Sequence, residues 1–324
     1  MKEIVIDIYG ADLGTDPVLY GVAKALKDGY EFLPVLVGDT SVIRAVMDGC
    51  GIADNCYRII HTEEYFKNTD LPTAIYGAGD NCSMSLAFGY LKDTENCIAM
   101  LSPGSTGIML VGSICRLGLI GGLKFPALSS ALPCAGEKLL CIVDCGANTD
   151  CTPNDLVRFA KMGTVFSKAI CGFEDPRVGL MSVGREEGKG NDLIKKAYPL
   201  LKELDINFIG NLEGSDMVSG YADVVVCDGF SGNLLLKSVE AAGKAAMDVV
   251  DATCPDRETA EKIKHALFKK FDFNSQGAAT FLGTKKMVCK MHGAANADTT
   301  VASIDQILRV DRGGFNAAMK DSLK

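Results

Sequence analysis

The chain has 324 residues, a formal charge of −8, an isoelectric point near 5.0 and 48% hydrophobic residues. That apolar share excludes a disordered chain, and the acidic balance argues against a nucleic-acid binder, which would carry a basic face. Thirteen cysteines lie largely inside apolar runs with no Cys-x-x-Cys pair, and only three histidines are present, so zinc-finger spacing is absent and no metal is assigned.

Strand and helix signals alternate from end to end, the pattern of a mostly parallel α/β sheet. Residues 4–8 form a β-branched strand that ends in Tyr9-Gly10-Ala11-Asp12. A helix follows Pro17, a residue suited to a first helical turn. Residues 32–39 and 57–61 are the next strands, and 81–92 have helical spacing with Met84, Ala87, Phe88 and Leu91 on one face. Residues 98–103 are a strand that runs into Gly104-Ser105-Thr106-Gly107. The apolar stretch 108–123 contains Arg116 and several glycines and falls short of the ~20 residues that cross a bilayer, so it reads as a buried helix and turn.

Residues 139–143 then run into Asp144-Cys145-Gly146-Ala147-Asn148-Thr149-Asp150. Amphipathic helices over 155–170 and 192–204 flank a strand at 178–183, which opens into the loop 184–190 around Lys189. Residues 206–211 are a strand ending in Asn211-Leu212-Glu213-Gly214. Residues 224–227 deliver Asp228 and a Gly229-Phe230-Ser231-Gly232-Asn233 turn to the start of a long helical region. That region breaks near Pro255 and resumes over 258–271, giving an exposed helical tip at about 239–272. A glycine-rich segment (276–283), a strand at 287–291, the turn His292-Gly293 and a helix at 299–310 complete the chain. No linker, repeat or charge block marks a boundary, so 1–324 reads as a single α/β domain. Met1-Lys2-Glu3 enters a strand directly, so no leader is expected, and the buried thiols suit a reducing cytoplasm.

Four of these strands end in glycine-bearing polar loops: 104–107, 144–150, 184–190 and 228–233. Parallel strands place their carboxyl ends on one edge, where open α/β proteins bind ligands. A glycine-rich turn at a helix start offers N–H groups and the positive end of the helix dipole to an anion. Lys189 and Lys237 are the cations nearest such turns, each with a solvated surface role as its alternative. Cys145 and Cys227 adjoin polar strand ends and are the best candidates for a nucleophilic thiol.

The motifs Asp144-x-Gly146-Ala147-Asn148-x-Asp150, Gly210-Asn211-x-Glu213-Gly214, Ala222 through Asn233 and His292-Gly293, in this order and spacing, resemble the PlsX phosphate acyltransferases from Ile4 to about Ile307. Those enzymes move a fatty acyl group from acyl carrier protein to inorganic phosphate, giving acyl-phosphate for phospholipid synthesis. The resemblance implies a three-layer α/β/α fold related to the isocitrate dehydrogenases and phosphotransacetylases, a cytoplasmic homodimer, no cofactor, and at most weak peripheral membrane contact. The chain departs from the family's usual opening at residues 7–12. It reads Ser102-Pro103-Gly104-Ser105-Thr106-Gly107 where Ser-Ala-Gly-Asn-Thr-Gly is usual. Residues 73–84 contain no Arg or Lys where a basic cluster is usual, which leaves a short-chain phosphotransacylase, an acyl-phosphate-forming subunit of a larger complex, or a non-catalytic acyl- or phosphate-binding relative as alternatives.

Acyl transfer to phosphate requires an anion held beside a thioester carbonyl and donors for the tetrahedral oxyanion. No activated side chain is needed, because phosphate is itself the nucleophile. The catalytic candidates are Lys189, Asn233 and His292, the last a donor to the oxyanion or the leaving thiolate. The binding candidates are Gly104, Ser105, Thr106, Gly107, Asn148, Asn211, Gly229, Ser231, Gly232 and Lys237; for the hydroxyl and amide residues, helix capping is the alternative. Asp144, Asp150, Glu213 and Asp228 are expected to orient donors rather than touch the anion, since like charges repel.

Overall fold

Strands buried on both faces are rich in apolar residues, and β1 (Glu3–Asp7) has an apolar centre, Ile4-Val5-Ile6, between two acids, with all five residues buried in this computed structural model. The structure describes every residue except 78–79, 135–137 and 272–275 and the side chain of Lys269. The chain divides into two compact units, residues 1–126 with 277–324 and residues 127–276, at joints that no composition shift marks.

In the first unit β1 pairs in parallel with β2 (Leu33–Gly38) and β4 (Cys97–Ser102). β3 (Arg58–His61) pairs in parallel with β2, and β11 (Met287–Lys290) with β4. β10 (Ala279–Leu282) runs antiparallel to β11. The glycine-rich segment 276–283 therefore contains a strand, because Phe281 and Leu282 are buried. The helices are α1 (Asp16–Lys27), α2 (Thr40–Gly49), α3 (Ala74–Gly77), α4 (Ser83–Asp93), α5 (Thr106–Gly112), α10 (Ala297–Arg312) and α11 (Phe315–Ser322). α5 passes into a π-helical turn at Ser113–Leu117, so the apolar stretch 108–123 is buried in part as expected.

In the second unit β6 (Leu139–Val143), β9 (Val224–Val226), β7 (Val178–Met181) and β8 (Phe208–Leu212) are parallel in that order, and β5 (Ala127–Pro133) is antiparallel to β6. α6 (Pro153–Cys171) and α7 (Asp192–Lys202) occupy the predicted helical positions. α8 (Gly229–Thr253) and α9 (Arg257–Phe271) are largely exposed, and the last residue of the expected tip, 272, lies outside the described residues. Each unit is thus a mostly parallel α/β sheet with helices.

Candidate functional site

The strand-end loops are distributed between the units. Residues 144–150, 184–190, 211–214 and 228–233 follow β6, β7, β8 and β9 in the second unit. Residues 104–107 and 292–293 follow β4 and β11 in the first.

In the second unit the loop after β6 is built around one carboxylate. Asp144 is fully buried and accepts the N–H groups of Leu128 (3.0 Å), Gly146 (3.1 Å), Ala147 (3.0 Å) and Asn148 (2.7 Å), and the Asn148 amide at 2.7 Å. Burial pushes this carboxyl above its ordinary range, and the donors from Ala147, Asn148 and Leu128 oppose that rise. Asp150 is exposed.

The segment after β9 differs from its sequence reading. Gly229-Phe230-Ser231-Gly232-Asn233 is the first turn of α8 itself, with Asp228 as the N-cap. Asp228 accepts the Ser231 N–H and the Ser231 hydroxyl, both at 2.8 Å. The Gly229 N–H donates to the Asn148 carbonyl at 2.6 Å. Two N–H groups expected to face an anion are therefore engaged within the protein. The glycines have a packing cause: a Cβ on Gly232 would lie 1.9 Å from the Asp144 carbonyl oxygen, and one on Gly229 2.6 Å from that of Asn148. Asn233 is exposed beside the same loop, its Oδ1 3.6 Å from where a Gly146 Cβ would stand. Lys237 is exposed and ion-paired with Glu240 at 2.6 Å.

Lys189 is exposed, with its stem against Gly184. Asn211 is buried and its amide donates to the Glu186 carbonyl at 2.9 Å, tying the Lys189 loop to β8. Glu213 caps the short 3-10 helix Gly214–Val218, its N–H donating to Asp216 at 2.9 Å. Sequence reasoning missed Arg185, which pairs with buried Asp216 and lies 5.2 Å from the Tyr221 ring centroid. Burial acts to raise Asp216, but Arg185 and the Glu213 N–H hold it below its usual range. A cavity of about 200 Å³ between these elements is lined by Ser182, Gly190, Asn191, Cys227, Asp228 and Ser231, with apolar neighbours. Cys145 and Cys227 are buried, and burial pushes both thiols well up, which keeps them protonated and poor nucleophiles.

In the first unit Ser105 is the N-cap of α5, and Thr106 and Gly107 begin that helix. Gly104 donates to the Ser102 hydroxyl at 3.0 Å, and Ser102 donates to buried Asp7 at 2.8 Å. Lys290 donates to the carbonyl oxygens of Pro103, at 2.8 Å, and Met291. His292 accepts the Ala294 N–H on Nδ1 at 3.2 Å, which in the neutral ring places the proton on Nε2. The Asp12 N–H donates to the Gly293 carbonyl at 2.7 Å. Beside the cation-free segment 73–84 the structure brings Arg116, which donates to the Ile75 carbonyl and pairs with Asp80 at 2.8 Å. Residues 78–79 of that segment lie outside the described residues. Asp7, Ser102, Lys290 and Arg116 were missed because their partners are distant in sequence.

This arrangement defines an α/β protein of the phosphotransacetylase type of fold. A phosphotransacetylase from Streptococcus pyogenes matches with a TM-score of 0.66 at 17% identity, over 96% of this chain and 94% of that one. A branched-chain phosphotransacylase from Enterococcus faecalis V583 matches at 0.63 and 14% identity, over 96% and 99%. Sequence relatives go further. The phosphate acyltransferase of Clostridioides difficile (strain 630) is 35% identical over 319 residues, 96% of this chain and 93% of that one. That of Bacillus cereus (strain ATCC 14579) is 36% identical over 312 residues, 94% and 93%. Residues 2–317 match the model of the fatty acid synthesis protein family, and the chain belongs to that family.

Proposed function

We propose that this chain is an acyltransferase that moves an acyl group from a thioester donor, an acyl carrier protein or another acyl thioester, to inorganic phosphate. The supporting observation is the identity with phosphate acyltransferases along nearly the whole chain. The phosphate oxygen forms a bond to the thioester carbonyl carbon, the tetrahedral oxyanion collapses, and the thiolate leaves and takes up a proton. In this reading Lys189 and Asn233 compensate the anionic charge, and His292 is the proton donor. Asn148, Asn211, Gly229, Ser231, Gly232 and Lys237 shape the phosphate-binding edge of the second unit, and Gly104–Gly107 a substrate-binding edge of the first. Asp144, Asp150, Glu213 and Asp228 orient loops. The hydrogen bonds of Asp144 and Asp228 to their own loops support that assignment.

The protein acts as a homodimer with weak peripheral membrane contact in this reading. A short-chain phosphotransacylase, or the acyl-phosphate-forming subunit of a larger complex, is the second reading, favoured by the absence of Arg and Lys from residues 73–84. Purified protein offered long acyl-carrier thioesters and acetyl-CoA, each with phosphate, separates the two by acyl-phosphate yield. Turnover with acetyl-CoA alone selects the second. No turnover with any thioester, together with thermal stabilisation by phosphate, selects a non-catalytic binding protein.

A further inference from the structure

Three strand-end loops of the first unit converge on Asp7. Its carboxylate accepts the Tyr9 N–H at 3.2 Å and the Ser102 hydroxyl at 2.8 Å, and Ser102 in turn accepts the Gly104 N–H at 3.0 Å. Asp7 is 1% exposed and Ser102 is fully buried. Gly10, at φ +101°, lies so close to the next loop that a Cβ there would be 2.5 Å from the Gly104 Cα. Lys290 is directed at the Pro103 carbonyl, 2.8 Å away, and so ties the end of β11 to the same loop.

We propose that Asp7 is a positioning residue: ionised, it fixes the Ser102 hydroxyl and through it the loop of residues 103–107, and protonation releases that loop. The inference rests on the acyltransferase reading, in which residues 104–107 bind substrate. A hydroxyl that donates to a carboxylate makes a charge-assisted bond, roughly twice as strong as a neutral one. A protonated Asp7 becomes a donor that competes for the Ser102 oxygen now receiving the Gly104 N–H. Burial pushes the Asp7 carboxyl up to about 6, against the Ser102 hydroxyl, the Tyr9 N–H and the charge of Lys290. The titratable groups that share its field are Lys290 from β11, Tyr9 beyond β1 and Cys82 at the start of α4. The switch therefore operates on the acid side of neutrality.

The test compares wild type with Asp7→Asn, which keeps the shape of the side chain and removes its ionisation. Acyl-phosphate formation by Asp7→Asn should have kcat reduced by roughly 10- to 100-fold near neutral pH, the scale of a misplaced binding loop. Wild type should show an acidic limb in its pH profile, and the variant should lack it. Amide hydrogen exchange of residues 104–109, corrected for intrinsic pH dependence, supplies a readout independent of activity. Protection should fall in wild type between about pH 8 and about pH 5, either side of the Asp7 midpoint, and stay constant in the variant. An acidic limb common to both proteins, or wild-type protection that does not change with pH, overturns the proposal. If Asp7→Asn does not fold, Ser102→Ala replaces it, with the expectation of low protection at both pH values. Absence of turnover with any thioester would sink the acyltransferase reading while the exchange experiment still decides the role of Asp7.

Discussion

Asp7 and Asp144 each stand at the carboxyl end of a strand, one in each unit, and are held differently there. Asp7 is the last residue of β1 and Asp144 directly follows β6, and each accepts the N–H two residues further on, at 3.2 Å and 3.1 Å. Burial pushes both carboxyls up. The remaining donors to Asp144 are backbone N–H groups and the Asn148 amide. Backbone donors cannot rotate, so this cradle has one arrangement. Asp7 leans instead on the hydroxyl of Ser102, which both donates and accepts and can be reoriented. A carboxylate held by the main chain builds a fixed loop; one held by a hydroxyl builds a loop that protonation can alter.

The largest effect should come from breaking the fixed cradle. Gly232→Ala would put a methyl group 1.9 Å from the Asp144 carbonyl oxygen, a backbone atom that cannot step aside without moving the loop. We expect a loss of about 3 kcal/mol or more, at the upper end for overpacking, read as a lowered urea midpoint. Near-normal stability would mean that the cradle adjusts easily, and the contrast with Asp7 would vanish.

The Asp7 side of the comparison is read in stability against pH. Its folded value is about 6 and its ordinary value 3.8. Between those values the native state binds more protons than the unfolded chain. Stability from this group is therefore present at low pH, falls as pH rises towards about 6, and is level above that. The fall amounts to about 3 kcal/mol by linkage. Asp7→Asn should remove that slope, in denaturant titrations at a series of pH values. If the slope survives, another group is responsible. The ionised form that orders the loop is thus the less favourable one for folding, a conflict expected where structure serves binding.

Lys189→Ala probes the exposed part of the second unit's edge. Acyl-phosphate formation should fall by roughly an order of magnitude or more, since removal of such a charge-compensating donor is worth ~2.7–4 kcal/mol at the upper end. The fold should stay intact, because the side chain is exposed. Unchanged turnover at saturating phosphate, with unchanged phosphate affinity, would assign Lys189 to solvent.

What the sequence made legible follows from period and length. The β-branched runs ending at Asp7, Val143 and Val226 are short, apolar and bounded by polar turns, so strands and their carboxyl ends could be located. β5 was hidden because serines interrupt its apolar residues, and β10 because neighbouring glycines dominate the composition. The first turn of α8 reads as a loop in the sequence because Gly, Ser and Asn favour turns. Those glycines in fact admit the Asp144 loop, a contact across more than eighty residues that no local pattern encodes. The Ser102–Asp7 bond spans 95 residues and is invisible for the same reason. The carboxylates at strand ends could be named as candidates, whereas which donors hold each one depends on tertiary structure.

The smallest effect is expected on the exposed helix α9. Among the described residues no helix is long and apolar enough to cross a membrane. On α9 the apolar side chains Ile263 and Phe268 are 41% and 44% exposed, a narrow ridge. Residues 253–271 carry five Lys and Arg against three acids, a small positive excess. Part of that charge is already paired, Lys262 with Glu258 at 2.7 Å and Lys264 with Asp251 and Glu261 at 2.8 Å. Such a surface should hold neutral vesicles poorly. Its attraction to anionic vesicles should fade as salt shortens the screening length from about 30 Å at 0.01 M to about 8 Å at 0.15 M. Vesicle sedimentation at both salt concentrations measures this. Tight pelleting that resists salt would mean that the ridge inserts into the acyl boundary, and that apolar burial outweighs charge along this helix.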